Sequence, residues 1–249
     1  NHVIRGWPRV TIAIITACVA LQLASMFIGP SEADIQSYAQ THALELAQSL
    51  EQTDDGAKVP DLDAIVDRMI DDVYDYADGN PTFRLGYRPK QGLSSRLLTY
   101  AFAHGGWLHL IGNMIFLWLA GAALEDRWGR ARFVAFYAAG AVVSALGYVA
   151  LGANPQIILI GASGAVAALM GAFLILFAKT EIHLWYFFLL RWGRFDVRAY
   201  VALPLWLLGQ FFSAHGNTVG EESGGVAYTA HIIGFLFGAI VAIASLALA

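Results

Sequence analysis

Again and again the chain runs for about nineteen or more residues without a charged side chain. In an apolar surrounding the backbone must satisfy its own hydrogen bonds, so uncharged stretches of bilayer length are expected to be helices. Val10 to Ile28 is the first, enough for roughly 28 Å of helix. It is too long for a signal-peptide core and ends in Gly29-Pro30 without a small-residue cleavage pattern. Phe102 to Leu124, Phe133 to Leu151, Ile157 to Phe177 and Val226 to Ala249 follow. Tyr200 to Ser213, about fourteen residues and roughly 21 Å if helical, is read as a short fifth span. Ile182 to Leu190 is too short to cross and is read as interfacial. The expected fold is all-α: a polytopic membrane protein with six spans. Composition agrees, since 57% of the residues are hydrophobic and 14% charged, which excludes an ordinary soluble globule. The single cysteine, Cys18, excludes an intrachain disulfide or a cysteine metal site. The sequence begins without Met and stops inside an apolar segment at Ala249, so trimmed ends are expected.

A net charge of -4 conceals two regions of opposite sign. Residues 31–80 hold thirteen of the nineteen acids against Lys58 and Arg68, a net of -11, while the remainder carries +7. The division expected is a first span over 1–30, an acidic helical insert over 31–80, and a membrane core over 81–249. In the insert, Ser31 followed by Asp34 resembles a capping box, and Ile35, Tyr38, Ala39, His42, Leu46 and Leu50 recur at helical spacing. Asp54-Asp55-Gly56 breaks that helix, and Asp61 is placed to cap a second with an apolar face of Leu62, Ile65, Val66, Met69, Ile70, Val73 and Ala77. A solvated helical hairpin is the plain reading, with substrate or partner contact as the alternative. The segment from Pro81 to Leu98 turns basic, with Arg84, Arg88, Lys90 and Arg96. With six spans, Arg5 and Arg9, then Arg127, Arg130 and Arg132, then Lys179, Arg191, Arg194 and Arg198 all fall on one side. The positive-inside rule makes that side cytoplasmic, with both termini there. The insert, the Gly152-Ala153-Asn154-Pro155 turn and the Glu221-Glu222 loop then lie outside.

Polar groups in lipid are costly, so each requires a reason. Ser163, in Gly161-Ala162-Ser163-Gly164, lies about six residues into the fourth span, and His231 about five into the sixth. Both are then roughly 8 to 9 Å below the outer surface. Asn113 reaches a similar depth, one helical turn from His109 on the same face. Ala230, Gly234 and Gly238 form a small ridge that lets the sixth span approach the fourth. A serine hydroxyl within reach of an imidazole is the arrangement of an activated nucleophile. The Ser163 amide, His109 and Asn113 would supply donors for an oxyanion. Each feature also has a plainer reading. Gly161, Ser163, Ala167 and Gly171 could be a packing seam, His231 could bond a neighbouring carbonyl, and Asn113 could be interhelical glue. A metal site from His104, His109 and His231 lacks a carboxylate or thiolate at their depth, so no metal is expected.

The chain resembles a rhomboid-family intramembrane serine protease in four blocks: His104-Gly-Gly-Trp-Leu-His109-Leu-Ile-Gly-Asn113-Met, Leu124-Glu125-Asp-Arg-Trp-Gly129-Arg-Ala-Arg132-Phe, Gly161-Ala-Ser163-Gly164 and Ala230-His231-Ile-Ile-Gly234-Phe-Leu-Phe-Gly238. The resemblance implies a six-helix bundle with an extracytoplasmic insert between the first and second spans. It implies a Ser163/His231 dyad without a third carboxylate, and an oxyanion site of His109, Asn113 and the Ser163 amide. It implies supporting roles for His104, Gly161 and Gly164, and a structural role for Glu125 and Arg132. The fifth span and the loop after it match the element through which substrate helices are thought to enter. No cofactor and no nucleic acid are implied; the partners are transmembrane protein substrates, cut near small residues, and the lipid bilayer. The chain departs from many bacterial members at Ala167, where an aromatic packs on the dyad histidine, and at Ser95, where a tryptophan precedes Arg96.

The expected activity is therefore serine endopeptidase cleavage of single-span proteins near their outer membrane boundary, in a bacterial inner membrane. The rivals are a catalytically inactive scaffold of the same fold, binding client helices, which has no need of both Ser163 and His231, and a small transporter or metal carrier, which would want ionisable groups deep in the spans.

Overall fold

The computed structural model describes residues 6–51, 61–152, 154–188, 191–216 and 227–247. In chain order the helices are α1 (Arg9–Ser25), α2 (Glu32–Glu51), α3 (Leu62–Ala77), α4 (Pro81–Leu85), α5 (Arg96–Thr99) and α6 (Trp107–Phe116). A π-helical segment, Leu117–Gly121, joins α6 to α7 (Ala122–Trp128), making one rod of 22 residues. Then come α8 (Arg130–Ala150), α9 (Ser163–Leu176), the strands β1 (Glu181–Phe188) and β2 (Arg191–Arg198), α10 (Ala199–Gly216) and α11 (Tyr228–Ala247). Among the described residues, Trp107–Trp128, α8 and α11 are long and apolar enough to cross a membrane, and Arg9–Ser25, Ser163–Leu176 and Ala199–Ser213 are shorter apolar helices. The Asp54-Asp55-Gly56 break, Ala153, Arg5, Leu190, the Glu221-Glu222 loop, Val226 and Ala249 lie outside the described residues.

The core is built around α9, in which Gly164 to Phe173 are all buried. A helix apolar on every side belongs in the middle of a bundle. It packs on α11 and α8, and glycine sets the distance. A Cβ at Gly238 would overlap the Ala168 carbonyl, one at Gly234 the Gly164 carbonyl, and one at Gly171 the Phe235 carbonyl. A Cβ at Gly140 of α8 would stand 2.9 Å from that of Ala168. The small ridge of the sixth apolar run thus meets the backbone of the fourth.

Two expectations are corrected. The helix expected from Ile157 begins only at Ser163. The preceding backbone is extended because Tyr87 N–H donates to Leu159 O at 2.9 Å and Leu159 N–H to Tyr87 O at 2.7 Å. With Gly161 N–H donating to Tyr100 O at 3.0 Å, the segment is satisfied by partners outside itself. Unwound backbone at membrane depth is tolerated where protein encloses it. The second correction is to the all-α expectation. The fold is mostly helical, but the apolar segment from Ile182 is a strand, paired antiparallel from Glu181↔Arg198 to Phe188↔Arg191. A short apolar run is ambiguous in period, and here a partner strand follows within a few residues. His183 Nδ1 lies 2.6 Å from Asp196 Oδ1 across the pair.

The start of α1 and the basic turn after α7 meet at one end of the bundle. Glu125, at the end of the α6–α7 rod, accepts from Val10 N–H at 2.9 Å, Thr11 N–H at 2.8 Å and the Thr11 hydroxyl at 2.9 Å. Its carboxylate satisfies orphan donors at the start of α1, where negative charge also complements the positive end of the helix dipole. The Arg127 guanidinium lies 6.0 Å from the Phe177 ring just past α9.

Helices α2 and α3 lie beside the extended approach to Ser163. Ser31 and Asp34 exchange hydrogen bonds as a capping box, and Asp61 accepts from Ala64 N–H at 3.2 Å. Those bonds to Ser31 hold the Asp34 carboxyl below the usual carboxylate range. Tyr38 of α2 stacks on Tyr76 of α3 at 4.4 Å. Asn80 closes the excursion by donating to the carbonyls of Ser25 and Pro30, each at 3.0 Å. Acids of α3 and of its C-terminal cap meet the basic segment after it, Lys90 at 2.8 Å from Asp71 and Arg96 at 2.6 Å from Asp78. The Tyr74 hydroxyl donates to Gln156 O at 2.7 Å, and burial holds its pKa above the ordinary value.

Two outcomes follow from this packing. Gly238→Val should cost at least about 1–3 kcal/mol in detergent unfolding, because the clash is with backbone, whereas Ile240→Ala on the exposed face should stay within about 0.5 kcal/mol. The double variant Lys90→Ala, Arg96→Ala should speed hydrogen exchange of α3 amides selectively, leaving those of α9 protected.

Candidate active site

The site begins at a turn only glycine makes well. Gly161 has φ of 127°, and a Cβ there would lie 2.7 Å from Cε1 and 2.8 Å from Nε2 of His109. Both the backbone and the neighbouring ring therefore require a hydrogen at that position. His104 braces the next residue: Ala162 N–H points to His104 Nε2 at 3.5 Å, and His104 Nδ1 faces Phe102 O at 3.2 Å. Its ring meets that of His109 edge-on at 5.3 Å. On the other side a Cβ at Gly164 would press on Ser144 of α8, 2.6 Å from its Cβ.

Ser163 is consequently the first residue of α9, where the opening N–H groups have no carbonyl within the helix to bond. Its Oγ lies 2.7 Å from Nε2 of His231, which α11 delivers within its first turn through the glycine contacts described above. His231 is buried, 8% exposed. Its Nδ1 lies 2.7 Å from Oε1 of Gln210, on α10. A carboxamide oxygen only accepts, so Nδ1 carries the proton and Nε2 presents a lone pair to the Ser163 hydroxyl. The indole of Trp206, one turn before Gln210, stacks beside the imidazole with centroids 6.1 Å apart and planes 28° apart. Tyr228 meets it edge-on at 6.3 Å.

Asn113 is buried, and its Nδ2 donates to His109 O at 2.9 Å. That uses one amide hydrogen and leaves the other. The structure thus brings Ser163, His231, His109 and Gly161 together, with His104 behind them and Asn113 a turn from His109. Glu125 is at the far end of the bundle and bonds α1, and Arg132 is exposed there. Among the described residues, no three His, Cys, Asp or Glu side chains converge as a metal site.

Sequence reasoning missed Gln210 and Trp206, and with them what stands beside His231 when position 167 is alanine. The signal was present. Gln210 is the one amide or charged side chain between Val201 and Phe212, and such a group in an apolar helix needs a partner.

Comparison with known proteins agrees with the motifs. Residues 91–247 match a family model described as the Rhomboid domain. The chain belongs to the rhomboid family, and its apolar helices make it an integral membrane protein. It is 32% identical over 160 residues to Rhomboid-like protease 5 of Toxoplasma gondii, covering 61% of this chain and 16% of that one. It is 35% identical over 85 residues to RHOMBOID-like protein 5 of Arabidopsis thaliana, covering 34% and 28%, and 36% identical over 84 residues to Rhomboid protease GluP of Bacillus subtilis (strain 168), covering 34% and 16%. The matched stretches thus take up well under half the length of these relatives.

Gly161→Ala should force the turn out of shape and displace His109. Labelling of Ser163 by a fluorophosphonate should fall on the order of 10²-fold, the cost of about an ångström of misplacement, while far-UV circular dichroism stays that of the parent protein.

Proposed function

We propose that the protein is an intramembrane serine endopeptidase that cleaves single-span membrane proteins near the extracytoplasmic boundary. The observation that carries this is the 2.7 Å contact between Ser163 Oγ and His231 Nε2, in a site whose other imidazole nitrogen is already engaged. Ser163 Oγ attacks the scissile carbonyl carbon as its proton passes to His231 Nε2. The Ser163 N–H, the His109 ring and the remaining Asn113 amide hydrogen stabilise the oxyanion. As the C–N bond breaks, the Nε2 proton goes to the leaving amine, and an acyl-serine remains. Water then attacks the acyl carbon as its proton passes to His231 Nε2, and as the C–Oγ bond breaks that proton returns to Ser163 Oγ and the acid is released. Substrates must present an unwound segment, because a helix hides its carbonyls in its own hydrogen bonds.

The proposal includes six spans, the short α1, α9 and α10 among them. The basic end of the bundle, with Arg127, Arg130 and the β1–β2 pair, faces the cytoplasm. The insert at 31–80 and the mouth of the site face outward, where water reaches Ser163. The relatives come from a plant, an apicomplexan and a bacterium, so the reading is framed by side of the membrane rather than by host. An inactive scaffold would gain nothing from a serine and a histidine held at hydrogen-bonding distance.

The test is purified protein with a fluorescent transmembrane substrate. Ser163→Ala and His231→Ala should each lower turnover by at least about four orders of magnitude. Cleavage that persists in Ser163→Ala would falsify the nucleophile assignment.

A further inference from the structure

A serine and a histidine alone leave the imidazole free to rotate about its side-chain bonds and to exchange tautomers, and either change removes the lone pair from the hydroxyl. In many hydrolases a carboxylate prevents this, but no carboxylate stands beside His231 among the described hydrogen bonds and ion pairs. Its Nδ1 meets Gln210 Oε1 at 2.7 Å instead, and the ring is flanked by Trp206 from the same helix. Gln210 is partly buried on α10, surrounded in sequence by Leu207, Leu208, Phe211 and Phe212. A primary amide in such a stretch is costly unless its polar atoms are used.

We infer that Gln210 is a positioning residue for His231: its carboxamide oxygen fixes the Nδ1–H tautomer and the ring orientation that aims Nε2 at Ser163. The inference rests on the proposed dyad and adds a third member to it, carried by a third helix. Being neutral, the amide orients the base without supplying the charge that a carboxylate would give to the imidazolium. Its effect is therefore on how often the hydroxyl meets a correctly placed lone pair, and it acts on the chemical step rather than on substrate affinity.

Three variants and two readouts test it. Gln210→Leu removes the acceptor at similar size, Gln210→Glu keeps an acceptor oxygen at the same reach, and Leu208→Ala, at a half-exposed position of the same helix, controls for general disturbance of α10. The first readout is the rate of fluorophosphonate labelling at Ser163 together with kcat and KM on the transmembrane substrate. Gln210→Leu should lower labelling and kcat about 10- to 100-fold with KM within about twofold, Gln210→Glu should recover most of the loss, and Leu208→Ala should match the parent. The second readout is the imidazole ¹⁵N shifts of selectively labelled histidine, with His231 assigned by comparison with His231→Ala. The parent should show a protonated Nδ1 and unprotonated Nε2, and Gln210→Leu an averaged pair of tautomers. A pure Nδ1–H signature retained in Gln210→Leu overturns the assignment whatever the rates do, and so do equal losses in Gln210→Leu and Leu208→Ala. Failure of the parent protein to react at Ser163 would instead sink the protease reading, and the tautomer measurement would still decide the role of Gln210.

Discussion

Everything at the site depends on how closely two helices approach. Gly171 on α9 and Gly234 and Gly238 on α11 each lie so near a carbonyl of the facing helix that no side chain fits between. In a membrane there is little hydrophobic drive between helices, so close van der Waals contact and polar pairs must supply the specificity. Here the same contact has a chemical result. It carries His231, one turn into α11, alongside Ser163 at the start of α9, and the hydrogen bond between them needs no further distortion of either helix.

How much of this was legible in sequence depended on how local the determinant was. Ser31, Asp34 and Asp61 announced the ends of the insert helices because caps are read within three residues. His109 and Asn113 shared a face because helical spacing requires it. The pairing of Ser163 with His231 came from matched depth and from the family motifs, since no residue near either names the other. Determinants with distant partners were hidden. The start of α9 depends on Tyr87, 72 residues before Leu159 in the chain. The π-helical segment at Leu117–Gly121 has no simple mark in composition. The β1–β2 pair was obscured because Ile182 to Leu190 is apolar at nearly every position, which erases the alternation of a half-exposed strand.

The two ends of the bundle are held by different chemistry. At the basic end a single buried carboxylate, Glu125, binds the start of α1 through three hydrogen bonds. At the other end Lys90 pairs with Asp67 and Asp71 of α3, and Arg88 and Arg96 pair with Asp78 at its C-terminal cap. The exposed Lys90 pairs contribute little individually. Their arrangement matters more, because Lys90 N–H also reaches Pro155 O at 3.2 Å and Tyr74 holds Gln156, so α3 and the segment after it hold the extended backbone that leads to Ser163.

The junction between β2 and α10 gives α10 a fulcrum. Ala199 N–H donates to Thr180 O at 2.9 Å and Tyr200 N–H to Ala178 O at 3.0 Å, pinning the foot of α10 to the chain just beyond α9. Gln210 sits eleven residues along the helix, a lever arm of roughly 17 Å. A tilt of about 10° about that foot would swing its amide by about 3 Å, well past the tolerance of a hydrogen bond. A small lean of one rod against its neighbours is thus geared into a large displacement at the imidazole, with the foot scarcely stirring.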